Sequence, residues 1–138
     1  MKVMIDTNII ISAILFPNGR AAEALKKALV QPYQPIVCDY IVDELYRKFQ
    51  EKFPNKSAEL KAFLNMSLSI IRLVNTPKED NELEKNIRDV KDRPIFRAAY
   101  SADVDLLLTG DKDFLEASIK RPRVISAADF IALRQGDC

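Results

Sequence analysis

Two hydrophobic rhythms alternate along the chain. Val3-Met4-Ile5 is a continuous apolar run, and Ile9 to Phe16 resumes it beyond Asp6-Thr7-Asn8. A run without alternation reads as a central strand buried on both faces, followed here by a helical or irregular apolar stretch. Pro17-Asn18-Gly19 marks a loop. From Arg20 onward, Ala21, Ala22, Ala24, Leu25, Ala28 and Leu29 recur at helical spacing, with Glu23, Lys26 and Lys27 assigned to the solvent side. Pro32 and Pro35 bracket a turn, and Pro35 to Cys38 reads as a short buried strand. Asp39 then reads as the cap of a helix reaching about Lys52, with Ile41, Val42, Leu45, Tyr46 and Phe49 as its apolar stripe.

Pro54-Asn55 interrupts the pattern, and Ser57 reads as the cap of a helix carrying Leu60, Phe63, Leu64 and Leu68. Ile70 to Val74 is a strand placed near the sheet edge. Thr76 to Asp89 is polar and charged, a loop or a surface helix around Leu83 and Ile87. Asp92 reads as an N-cap, with Pro94 in the first turn where a missing N–H does no harm. Leu106 to Thr109 is a buried strand, Gly110 a turn and Val124-Ile125 a last strand. Ser126 caps a terminal helix, Ala127 to Leu133, ending near Gly136. Strands alternating with helices predict an α/β fold, a single domain over residues 1–138 in three layers, its central parallel sheet flanked by helices.

A chain of 138 residues with 48% hydrophobic residues is long and apolar enough for a real core. Lys and Arg number 21 against 20 Asp and Glu, a formal charge of +1, so no bulk basic surface is implied. A nucleic-acid partner would have to be held by local basic patches or through metal ions. Histidine is absent, which excludes His-based triads, histidine general bases and the usual zinc ligand sets. The only cysteines, Cys38 and Cys138, are too sparse for a disulfide framework and fit a reducing cytoplasm. Met1 to Phe16 does not read as a secretion signal: Asp6 and Asn8 interrupt it, and Pro17-Asn18-Gly19-Arg20 follows in place of a cleavage site. No window approaches a membrane span. A cytoplasmic protein is expected.

The chemistry lies in the acids. In open α/β sheets ligands collect at the carboxyl ends of the strands. Asp6 ends the first strand, Asp111 emerges behind Leu106 to Thr109, and Asp92 opens the helix leading into that strand. Asp113 follows Asp111 by two residues. Asp43 and Glu44 lie on opposite flanks of the apolar stripe of their helix, and periodicity admits either. Each acid also has a plainer reading, Asp6 and Asp92 as helix caps, Asp111 and Asp113 as an acidic helix start that complements the macrodipole. Taken together, several carboxylates without a cation among them repel one another. Mg²⁺ or Mn²⁺ resolves that repulsion with oxygen ligands, and such ions activate water and stabilise a phosphodiester transition state without a protein base.

The ordered set Met4-Ile5-Asp6-Thr7-Asn8-Ile9, Asp43-Glu44-Leu45, Asp92-Arg93-Pro94-Ile95-Phe96-Arg97-Ala98-Ala99 and Leu108-Thr109-Gly110-Asp111-Lys112-Asp113-Phe114 resembles the PIN-domain nucleases. The similarity runs over essentially the whole chain, and its nearest subgroup is the prokaryotic toxins of toxin–antitoxin pairs. The resemblance implies a Mg²⁺- or Mn²⁺-dependent endoribonuclease acting on single-stranded RNA, leaving 5′-phosphate and 3′-hydroxyl ends. Asp6, Glu44, Asp92 and Asp111 match the four acidic positions, which favours Glu44 over Asp43. Asp113 matches an auxiliary metal position, and Thr7 and Asn8 match polar residues that orient Asp6 or water. Arg20, Arg93 and Lys112 are candidate phosphate contacts. A cognate antitoxin and a homodimer, with Tyr46 and Phe63 near its interface, are further implications.

Other functions weigh less. A haloacid-dehalogenase-like phosphatase wants a second Asp where Asn8 stands. A flap nuclease needs elements for branched DNA that this chain lacks. A PIN-like module that binds RNA or protein without cutting is disfavoured by the intact acid set. A housekeeping RNA-processing nuclease would share the same site.

Overall fold

The computed structural model describes residues 1–67 and 69–134; the expectations resting on Leu68, Gly136 and Cys138 lie outside the described residues. Five strands form one parallel sheet: β1 (Lys2–Ile5), β2 (Gln34–Cys38), β3 (Arg72–Val74), β4 (Leu106–Leu108) and β5 (Arg123–Ile125), in the order β3-β2-β1-β4-β5. The helices are α1 (Thr7–Leu15), α2 (Arg20–Ala28), α3 (Asp39–Lys52), α4 (Ser57–Ser67), α5 (Arg93–Ser101), α6 (Lys112–Leu115) and α7 (Ala127–Ala132). Val3, Met4 and Ile5 are each fully buried. Successive strand side chains point to opposite faces, so β1 is covered on both, the middle layer of a three-layer α/β sandwich. The core gathers Phe49, Phe96, Phe114 and Phe130 around Ile10, Ile36, Ile41 and Leu107.

Chain order decides where a site can form. From β1 the chain builds outward through β2 to β3, then returns to lay β4 on the other side of β1. Val3, Met4 and Ile5 pair with Leu106, Leu107 and Leu108, and the Asp6 N–H continues the ladder to the Leu108 carbonyl at 3.0 Å. The strand order reverses between β1 and β4, where parallel sheets open a crevice at their carboxyl ends. β3 is an edge strand, as expected, with Leu73 exposed.

Four local expectations are corrected. Asp39 is the first residue of α3 rather than its cap; its carboxylate accepts from the Thr76 N–H at 2.8 Å and the Thr76 hydroxyl at 2.5 Å, tying α3 to the segment behind β3. Ser57 does not cap α4, because a 3₁₀ turn over Pro54–Lys56 runs straight into that helix. Asp92 stands at the N-cap position of α5 but in helical backbone geometry, and its side chain makes no capping hydrogen bond. Lys27 does not face solvent. Its Nζ donates to the carbonyls of Phe130 at 2.5 Å, Ile131 at 3.2 Å and Leu133 at 2.5 Å, closing the end of α7 where orphan carbonyls favour a cation.

The polar segment before α5 is anchored by one buried ion pair. Asn81 opens a 3₁₀ helix, Glu82–Asn86, through a capping box with Glu84. Ile87 is fully buried while Leu83 is largely exposed. The Glu84 carboxylate meets Arg97 of α5 in a fork, Nε to Oε2 at 3.0 Å and Nη2 to Oε1 at 3.0 Å. Arg97 also donates to the Pro77 carbonyl at 3.0 Å. Every donor of this kind used inward fixes a charge that would otherwise be costly to bury.

Candidate active site

A cleft of about 310 Å³ opens at the carboxyl edge of the sheet, lined by Asp6, Asn8, Glu44, Glu51, Asp89, Asp92 and Asp111 together with Arg47, Lys48, Lys52 and Lys91. Asp6 reaches it because β1 ends at Ile5 and α1 begins at Thr7, leaving Asp6 as the extended cap. Its Oδ1 accepts from the Thr7 N–H at 2.8 Å and its Oδ2 from the Thr109 hydroxyl at 2.6 Å. Capping and cleft-lining therefore coexist in one carboxylate. Burial pushes Asp6 up to about 6; the Thr109 and Thr7 donors hold it down, and the Glu44 and Asp111 charges add to the rise.

Glu44 comes from α3. The helix turns it inward, 7% exposed, and leaves Asp43 in solvent. The Thr7 hydroxyl donates to Glu44 Oε1 in a short hydrogen bond, so Thr7 links the second acid to the first through one residue. Arg47 and Lys48, one turn along α3, stand 3.7 Å and 3.9 Å from Glu44 Oε2. Lys48 also donates to Asn8 Oδ1 at 3.4 Å.

Asp111 caps the short α6 just beyond β4, accepting from the Asp113 N–H at 2.8 Å, while its own N–H donates to the Thr109 hydroxyl at 3.0 Å. Thr109 thus spans the acids behind both strands. Asp92 is the odd member. It is 9% exposed, and its Oδ2 is buried with no hydrogen-bond partner. Burial and then the Asp111 carboxylate push Asp92 up to about 8, with Asp6 and Asp89 adding to the rise. A buried carboxylate oxygen without a donor costs on the order of 1–3 kcal/mol, more when ionised. A cation satisfies it, and the donor set here is all oxygen, which suits a hard divalent ion. On this observation the residues fit Mg²⁺ or Mn²⁺.

The family model for the PIN domain matches residues 2–113. The chain belongs to the PIN-domain family. Solved structures share the fold of this PIN domain at low identity. The DNA-bound VapBC2 complex from Rickettsia felis superposes with a TM-score of 0.68 at 17% identity, covering 91% of this chain and 98% of that one. The DNA-bound VapBC from Salmonella typhimurium gives 0.65 at 18%, covering 92% and 98%. The Mycobacterium tuberculosis toxin VapC20, described as cleaving the Sarcin-Ricin loop, gives 0.60 at 14%, covering 88% and 98%. No curated relative matches the chain.

The cleft of this PIN domain brings together Asp6, Asn8, Glu44, Asp92 and Asp111, with Thr7 directly behind them. Asp113 sits at the near flank, 19% exposed, where Arg88 holds its Oδ1 at 2.5 Å. The three cations named from sequence fall elsewhere: Arg20 is exposed at the start of α2, Lys112 is exposed on α6, and Arg93 donates its Nε to the Ile87 carbonyl at 3.0 Å. The basic side chains at the cleft are Arg47, Lys48 and Lys52 on α3 and Lys91 before α5. Sequence reading missed them, Glu51 and Asp89. The spacing of Arg47, Lys48 and Lys52 from Glu44, at three, four and eight residues, puts them on the Glu44 side of α3 and is the signal that was available.

Proposed function

We propose that this PIN domain is a Mg²⁺- or Mn²⁺-dependent endoribonuclease for single-stranded RNA and the toxin half of a toxin–antitoxin pair. The observation that carries the reading is the buried, unpartnered Asp92 Oδ2 in a cleft that also holds Asp6, Glu44 and Asp111. Asp6, Glu44, Asp92 and Asp111 are the residues that would hold the ion, with Asp113 auxiliary. When bound, the ion supplies water activation and charge stabilisation for in-line phosphodiester displacement. Thr7 and Thr109 keep Asp6 and Glu44 oriented through hydrogen bonds to their carboxylates. Asn8 faces the cleft mouth under Lys48. Arg47, Lys48, Lys52 and Lys91, with Glu51 the one acid among them, flank the floor of carboxylates with positive charge, the pattern expected where phosphates must approach it.

The toxin role is supported by the VapBC and VapC structures that share the fold. The homodimer expected from sequence is supported by an apolar groove lined by Val42, Leu45, Tyr46, Phe63, Leu64 and Leu73, of which Tyr46 and Leu73 are more than half exposed. No helix among the described residues is long and apolar enough to cross a membrane. The test is cleavage of a long single-stranded RNA with Mn²⁺, Mg²⁺ or EDTA, beside Asp6→Asn prepared identically. Metal-dependent cutting lost in the variant is the expected result. Equal behaviour of the two proteins would remove the enzyme reading.

A further inference from the structure

We propose that Tyr40 is a positioning residue for the cleft: its hydroxyl holds the Lys91–Asp92 peptide in one orientation and so fixes where Asp92 stands opposite α3. The proposal rests on the nuclease reading above and adds to it a residue outside the acidic set. Tyr40 is the second residue of α3, one helical turn before Glu44 and on the same face. Its Oη donates to the Lys91 carbonyl at 2.9 Å, across 51 residues of chain. Tyr40 is not itself one of the described residues lining the cleft, so it acts through the peptide it holds.

The two walls of the cleft differ in stiffness. The α3 wall is anchored by the buried Ile41, Leu45 and Phe49, and its first residue is tied to Thr76. Opposite it, Asp89, Lys91 and Asp92 lie in an irregular segment that turns over an exposed Val90. That turn has bonds of its own: the Lys91 N–H donates to Asp89 Oδ1 at 3.0 Å, and the Asp92 N–H to the Asp89 carbonyl at 3.1 Å. These bonds shape the turn but stay within it. Tyr40 fastens it to the stiff wall.

The bond falls on the peptide that decides how Asp92 is aimed. A peptide unit is planar, so its carbonyl and its N–H move as one body. Tyr40 holds the Lys91 carbonyl and the Asp89 carbonyl holds the Asp92 N–H, which fixes this plane from both sides. Asp92 depends on the plane, because its side chain makes no capping bond and its Oδ2 has no partner. Burial pushes the Tyr40 hydroxyl up from the ordinary tyrosine value and the Glu44 charge adds to the rise, so the group stays protonated and donating. The Tyr40–Lys91 bond is exposed, so water replaces the phenol once it is removed. What is lost is position rather than a satisfied carbonyl.

The experiment is Tyr40→Phe in the full chain, which keeps the ring and removes only the hydroxyl. It is read by amide hydrogen exchange of the metal-free protein and by kcat and KM for Mn²⁺-dependent cleavage of a single-stranded RNA. Exchange at the Asp92 amide is expected to be severalfold faster, with Leu45 unchanged and melting close to wild type. The kcat should fall about tenfold while KM stays within about twofold. Thr76→Val, which removes a hydroxyl tie at the start of the same helix, should lower melting and leave Asp92 exchange and kcat unchanged. Wild-type exchange at Asp92 in Tyr40→Phe would overturn the proposal and leave the nuclease reading standing. Faster exchange with kcat intact would do the same, as would an equal loss of kcat in Thr76→Val. A wild-type protein that cuts no RNA, with Asp92 exchange altered as expected, would overturn the nuclease reading and leave the Tyr40 bond as the element that places Asp92.

Discussion

The Thr109 hydroxyl donates to Asp6 Oδ2 at 2.6 Å, joining the end of β4 to the end of β1. The Thr109 hydroxyl oxygen also accepts from the Asp111 N–H at 3.0 Å. Replacing it by a methyl group in Thr109→Val leaves a buried carboxylate oxygen short of a donor and frees the turn that aims Asp111. The expected cost is about 1–3 kcal/mol in urea unfolding. Because this donor holds Asp6 down, Asp6 should also titrate above its present value of about 6. Carboxyl NMR titration of the metal-free protein checks the direction, and an unchanged or lower value would refute it.

Asp6 and Asp92 together set a pH dependence. Both are raised, to about 6 and about 8, from an ordinary 3.8. Between the unfolded and folded values the native state holds more protons than the unfolded chain, so stability falls as pH rises. Metal-free protein should therefore lose melting temperature from about pH 4 to about pH 8 and level off above. Mn²⁺ should flatten that slope by favouring the ionised forms. Melting curves in EDTA and in Mn²⁺ across this range decide it; parallel curves would show that the cation does not reach these acids.

The Glu84–Arg97 pair has the opposite sign. Its hydrogen bonds with Arg97 hold the Glu84 carboxyl below the usual glutamate range. The stability it contributes is present above about pH 4.5 and is lost as pH falls through the lowered value. Arg97→Ala leaves Glu84, 5% exposed, without its partner and should cost about 3 kcal/mol. Guanidinium unfolding at neutral pH measures it, and Glu84→Gln should remove part of the acid lability.

The basic rim predicts a salt signature. On an Asp6→Asn background, chosen because the proposed nuclease should leave RNA uncut there, Lys52→Ala and Lys91→Ala should each weaken single-stranded RNA binding without regard to sequence. Each should lower the slope of log affinity against log salt by about 0.7. Fluorescence anisotropy between 50 and 200 mM salt, roughly the window where counterion release is steep, reads both effects. Arg20→Ala and Lys112→Ala, away from the cleft, should change the slope less.

Much of this architecture was legible because buried strands announce themselves. Val3-Met4-Ile5 and Leu106-Leu107-Leu108 could only be interior runs, and the acids directly behind them had to fall at the carboxyl edge. Asp43 and Glu44 were not separable by period, since both flank the stripe of α3; packing alone turns Glu44 in. Glu84 and Arg97 were hidden for another reason. A charged residue in a polar stretch looks solvated until a partner 13 residues away is folded against it. Lys27 was misread likewise, because its partners are carbonyls more than 100 residues along the chain. Asp89 lies three residues before Asp92, but it sits in an irregular segment that gives spacing no meaning.

The place of β1 beside β4 also sets a timetable for synthesis. The first acid is made at residue 6, yet its hydroxyl donor is residue 109 and the strand that carries this donor pairs with β1 across about a hundred intervening residues. A nascent chain that stops short of Asp111 lacks one of the cleft's acids, and one that stops short of Leu106 also lacks the strand that flanks β1. Asp6 and Glu44 therefore have no complete cleft around them until the segment carrying Thr109 and Asp111 has been made. Any lesion that keeps β4 from docking would dismantle the cleft without touching a single carboxylate.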